Sequence, residues 1–182
     1  MRAGVVALAL AVMVAVSGCS GDDRNRDPMS AEGRACQAVP LDAVQAALGV
    51  RFDFATGARV EETYTCVLAT EGQPFPDLTL AMSDTAASAL VFRTSLTPSG
   101  SAAIADLGRG AYQLAVAPRT AGDGTASGPG MEIGWLSAAP RLMTLRYTWA
   151  SGATEADVVA LTPQLMALAV SIEQALVNPA PL

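Results

Sequence analysis

The chain contains neither histidine nor lysine; all eleven of its basic residues are arginine. Without imidazole there is no Ser-His or Cys-His pair, no imidazole metal ligand and no general base poised near neutrality. Without lysine, Schiff-base and Ser-Lys schemes are excluded as well. Cysteine is scarce, at three residues, and no Cys-x-x-Cys occurs, so neither a redox dithiol nor a zinc site can be written from the residues present. Carboxylates are what remains for acid-base work. Glu61 and Glu62 are adjacent and point to opposite sides of an extended chain, which suits solvated strand ends rather than a glycosidase pair. No residue is therefore assigned as catalytic, metal-binding or cofactor-binding, no cofactor is expected, and the chain is not expected to be an enzyme. Positive charge is in deficit too, with 17 acids against the eleven arginines and a net charge of −6. A nucleic-acid partner would need a clustered basic stripe, so none is expected.

Long apolar runs are absent except at the start, where Gly4 to Val16 is apolar over 13 residues. About 20 residues are needed to span a hydrocarbon core of roughly 30 Å, so this run is too short to cross a membrane. Its layout is that of a secretory leader: Arg2 in front, an apolar middle, and small residues Ser17 and Gly18 at the end. Val16-Ser17-Gly18-Cys19 presents a thiol for diacylglycerol transfer and cleavage before Cys19. Residues 1–18 read as a lipoprotein signal peptide, with Cys19 as the lipidated mature N-terminus. Two or three acyl chains, at about 0.8 kcal/mol per buried CH₂, make a stable anchor. The expected location is the extracytoplasmic face of the cell membrane. Loss of Arg2 leaves ten arginines against 17 acids, a net charge near −7.

Residues 19–35 follow as a polar tether without apolar period, unable to bury enough surface to offset ordering; its flexible reach is roughly 20–25 Å. Residues 36–178 have the length of one domain, and 179–182 form a tail. Cys36 and Cys66 are the two thiols left after lipidation, and in an oxidising compartment an isolated pair is expected to be bonded. Closing that loop stabilises the fold by roughly 3–4 kcal/mol in the chain-entropy account.

Leu41 to Gly49 has the punctuation of a short helix, with Asp42 as N-cap, Gln45 three residues later, Gly49 as the left-handed stop, and Val44 and Leu48 on one face. The period then changes from helix to strand. Tyr64, Cys66 and Leu68 share a face, and Leu78, Leu80 and Met82 do the same after a Pro-containing connection over 72–77. Ser83 or Asp84 is expected to cap a helix to Leu96 that faces the sheet through Ala87, Leu90, Val91 and Thr94. Ala102 to Gly110 reads as a loop plugged by Ile104 and Leu107. Strand Tyr112–Val116, a mobile hairpin loop over 118–130, and strand Met131–Trp135 with odd positions buried come next. Leu142 to Trp149 alternates with Met143, Leu145, Tyr147 and Trp149 inward. Thr154 and Asp157 form a capping box for a helix with the stripe Val158, Leu161, Leu165, Leu168, Ile172 and Leu176, kinked or restarted at Pro163. The sum is an α+β domain: an antiparallel sheet with helices packed on one face, in two strand-strand-helix halves.

The lipidation motif, the acidic linker, Cys36 just before a Leu-rich helix ending in Gly49, Cys66 in a strand, the Leu107-Gly108-x-x-Ala111 turn and the final helix together resemble the actinobacterial cell-envelope lipoproteins of unknown function with a paired-cysteine domain. An aromatic often follows the second cysteine in that family and an acid often follows the Leu-Gly; here Val67 and Leu68, and Arg109, stand instead. The resemblance brings no catalytic residues. The expected function is a membrane-anchored, non-catalytic binding or interaction module of the envelope, its partner an envelope protein. The alternative is a carrier of a lipid or other apolar ligand between sheet and helices, hinted at by Met82, Met131, Met143 and Met166.

Overall fold

A computed structural model of the protein describes residues 35–178. The leader, Cys19, the tether up to Arg34 and the tail 179–182 lie outside the described residues. Within them, the fold is α+β, built on a seven-stranded antiparallel sheet. The strands are β1 (Phe54–Val60), β2 (Thr63–Thr70), β3 (Gln73–Asp84), β4 (Ala102–Ile104), β5 (Ala111–Val116), β6 (Ser127–Leu136) and β7 (Arg141–Ala150), in the spatial order β1-β2-β3-β7-β6-β5-β4. Each half is a meander, β1-β2-β3 and β4-β5-β6-β7, and the β3–β7 ladder joins them at the centre. The principal helices among the described residues are α1 (Leu41–Leu48), α2 (Ala89–Val91, continued without a break by the π-helical turn Phe92–Leu96) and α3 (Glu155–Val177).

Alternation decides which face is covered. Cys66, Leu68, Leu78, Leu80, Met82, Ile133, Trp135, Met143, Leu145 and Tyr147 point to one side, and every one of them is buried. Val44 and Leu48 of α1 and Val158, Leu165, Leu168 and Ile172 of α3 pack on them, with Leu161 and Leu176 half-buried at the margin. By length and composition α3 is apolar enough to cross a membrane, but its stripe is spent on the sheet. The capping box forms as expected, Asp157 Oδ2 accepting from Thr154 N at 2.7 Å. Pro163 neither restarts the helix nor ends it: α3 is continuous, and the Thr162 hydroxyl bonds the Val158 carbonyl at 2.8 Å. Cys36 and Cys66 are disulfide-bonded, their Cα atoms 5.0 Å apart, which ties the chain before α1 to β2.

Several local expectations are corrected. Helix α1 starts at Leu41 behind Pro40, with no side-chain cap, so Asp42 lies in the first turn; Gly49 does take the left-handed stop, φ 68°. β1 was not foreseen because it is an edge strand whose residues are all exposed, leaving no alternation to detect. β3 begins at Gln73, inside the expected connection; Pro74 and Pro76 are tolerated there because pairing to β2 is interrupted and pairing to β7 begins only at Asp77. β3 also runs on to Asp84, so neither Ser83 nor Asp84 caps a helix. Ser88 does, accepting from Val91 N at 3.2 Å. Leu90 and Val91 are exposed, and the residue that α2 buries is Phe92. It packs against Tyr112 and Leu136 at a corner of the opposite face. Ala102–Ile104 is a short edge strand rather than loop. The 118–130 segment is hydrogen-bonded through Ala121 N to Thr125 O and Ser127 N to Arg119 O, both 2.8 Å, and its last four residues belong to β6.

Candidate functional site

The side of the sheet turned away from α1 and α3, here the outer face, carries the other parity of each strand. Polar residues dominate its centre: Thr65 on β2, Thr79 on β3, Thr144 and Arg146 on β7, and Glu132 on β6. Register places Glu132 directly across from Arg146, and Arg146 across from Thr79. Glu132 is buried, yet its carboxylate is fully engaged. The Tyr112 hydroxyl donates to Oε1 at 2.8 Å, while Arg146 donates Nε to Oε2 at 2.9 Å and makes a second contact through Nη2. Burial, then the hydrogen bond and charge of Glu132, push the Tyr112 phenol well above its ordinary pKa, although Arg146 pulls the other way. The Tyr112 ring lies flat over Gly134, where a Cβ would collide with it.

A second pair sits one step along the same face. Asp77, 6% exposed, accepts from Arg119 Nη2 at 2.7 Å, and the guanidinium rests over the Phe75 ring with 4.9 Å to its centroid. Arg119 arrives from the 117–126 loop, whose closure depends on Ser127: its Oγ accepts from Arg119 N at 2.8 Å. Asp77 Oδ1 and the hydroxyl of its register neighbour Thr148 are buried without a protein partner. Between the Arg119 loop and the Phe92 corner the face dips into a trough of about 440 Å³. It is lined by Thr65, Thr79, Ala81 and Thr144 together with Arg119, Arg146 and Glu132. Among the described residues, no group of three His, Cys, Asp or Glu side chains is placed to hold a metal ion.

A second depression, about 550 Å³, lies where the end of β5 meets the first turn of α3, lined by Val116, Pro118, Pro129, Met131, Val158 and the exposed Val159 among others. It is mostly apolar. Met82, Met131 and Met143 are buried and Met166 is packed half-buried against the same core, between sheet and helices.

Comparison of the chain with models of protein families, with curated proteins and with solved structures finds no match. The functional reading therefore rests on residues. Cys36 and Cys66, paired in the sequence, are brought together under the sheet and away from the trough. The trough's residues were not singled out by sequence. Thr144, Arg146 and Thr148 were legible as a wet face, but that Glu132 and Tyr112 join Arg146 requires the β5-β6-β7 register. Chemically, the two buried carboxylates of this face are matched by guanidinium, so what faces the trough is a set of guanidinium N–H donors and threonine hydroxyls.

Proposed function

We propose that the protein is an extracytoplasmic, lipid-anchored binding module that works without catalysis, held at the membrane through Cys19 in the manner of the actinobacterial envelope lipoproteins it resembles, and that it binds through the outer face of its sheet. One observation carries the choice of face: the trough, where two arginines are fixed by buried carboxylates in an otherwise acidic domain. Fixed ion pairs pre-organise donors, which is what a binding site requires. The export reading draws on the Cys19 motif and on a disulfide that favours an oxidising compartment.

Two measurements test this. A Cys19→Ser variant is expected to leave the membrane fraction; retention at the wild-type level overturns the anchor. A photo-crosslinking residue at position 79, in the trough, is expected to capture a discrete species that the same residue at exposed position 177 does not; equal capture from both overturns the choice of face.

The second reading, a carrier of an apolar ligand, has its own observation in the apolar groove at Val116, Met131 and Val158. Native mass spectrometry of the protein purified from its host separates the two, since a co-purifying lipid mass favours the carrier.

A further inference from the structure

The trough presents guanidinium donors and threonine hydroxyls, while its carboxylate is already engaged. Glu132 spends both oxygens on Tyr112 and Arg146. Arg146 uses Nε and Nη2, which leaves the Nη1 edge free; Arg119 uses Nη2, which leaves Nε and Nη1. Thr65 and Thr79 are in the lining, and among the described residues neither side chain is engaged in a hydrogen bond to protein. Charge is layered. The side chains of Asp77 and Glu132 are 8% and 7% exposed, whereas those of Arg119 and Arg146 are 46% and 40% exposed, so the positive ends face outward and the negative ends lie beneath. A guanidinium fork matches a planar or tetrahedral oxyanion. The volume, about 440 Å³, falls in the range of roughly 300–1,000 Å³ that takes one small molecule. Ala81 is the one wholly apolar residue in the lining, the others being threonine, arginine and glutamate.

We propose that the trough binds a small hydroxylated oxyanion, a sugar acid or a sugar phosphate, with its anionic group on the free edges of Arg119 and Arg146 and its hydroxyls on Thr65 and Thr79. This deepens the reading above and rests on the outer face being the binding face.

The test is isothermal titration of the full exported protein in detergent, at fixed ionic strength, with glucuronate, glucose 6-phosphate, glucose and inorganic phosphate. At least one of the two sugar anions is expected to bind about tenfold more tightly than glucose and than inorganic phosphate. The better of the two identifies the source of the charge. Thr79→Val, which removes a hydroxyl that the fold does not use, is expected to weaken binding roughly fivefold with an unchanged melting temperature. Arg119→Gln is expected to abolish binding; because it strands Asp77, its folding is checked by circular dichroism, and Thr65→Val stands in for it if it does not fold. Absence of saturable binding by either sugar anion overturns the proposal, as does inorganic phosphate binding equally well or binding indifferent to Thr79→Val. A crosslink captured from position 79 together with silent titrations sinks the ligand assignment while leaving the binding face standing.

Discussion

Replacing Gly134 by alanine tests the architecture of the outer face with a single methyl group. The new Cβ would lie 2.5 Å from the Tyr112 Oη and closer still to the ring carbons. The ring cannot slide away freely, because Phe92 stacks near it at 6.0 Å between centroids and its hydroxyl is bound to Glu132 at 2.8 Å. Overpacking of this kind costs about 1–3 kcal/mol. Displacing the ring also breaks a hydrogen bond to a buried carboxylate, worth roughly 1.5–3 kcal/mol. Gly134→Ala is therefore expected to destabilise the protein by about 2.5–6 kcal/mol in total, offset slightly by the lower chain entropy of alanine. Urea unfolding of the oxidised protein, followed by tryptophan fluorescence, reads this as a lowered midpoint at constant slope. The decisive control is the same substitution in a Tyr112→Ala background, where the space is open and the further cost should fall below about 1 kcal/mol. If the two substitutions are additive, Tyr112 does not lie on Gly134 and the outer face is arranged differently.

Other consequences can be checked separately. Glu173 on α3 accepts from Trp135 Nε1 at 2.9 Å and from Ala138 N at 2.8 Å, stapling the last helix to the β6–β7 turn; Glu173→Ala should cost about 2–5 kcal/mol and Glu173→Gln distinctly less, by urea midpoint. The Asp157 carboxyl sits below its ordinary pKa because the Thr154 backbone and then its hydroxyl hydrogen-bond to it. Its contribution is present above the unfolded pKa of about 4 and lost as pH falls through the folded one. The gap in melting temperature between wild type and Asp157→Asn should thus close on acidification, and a gap that persists at low pH would contradict the capping role. Burial, and then the Asp77 charge, push Tyr147 up to about 12, and Tyr112 is raised further. Both raised phenols stabilise the fold below the unfolded tyrosine pKa of about 10, and this stability is lost as pH rises beyond it. Absorbance at 295 nm should show these two ionising together with alkaline unfolding, and early, reversible titration of all three tyrosines would refute the burial.

What could be read from the sequence follows from where alternation or periodicity is imposed by a covered face. Leu142 to Trp149 and Met131 to Trp135 each have one side on the core, and their buried positions, like the stripe of α3, are written in the residues. Phe54–Val60 has neither side covered, so its strand leaves no mark. The helix before Leu96 looked amphipathic through Leu90 and Val91, but two turns anchored by one aromatic need no stripe, and Phe92 alone does the packing. The ion pairs of the trough were hidden for a different reason. Glu132 and Arg146 are opposed only once the turn at residues 137–140 fixes the register, and Arg119 meets Asp77 across 42 positions of sequence through a loop whose composition says only that it turns.

The central ladder of the sheet pairs Asp84 with Arg141 and Asp77 with Thr148. A chain emerging from its N-terminus can form the first meander early, but β3 then presents a bare edge until most of the remaining residues have been delivered. Folding is accordingly expected to wait on this late, non-local zippering, which contact separation makes slow. In that interval the unsatisfied edge is open to any strand nearby, which makes the incomplete chain, more than the finished one, the form that a chaperone would have to guard.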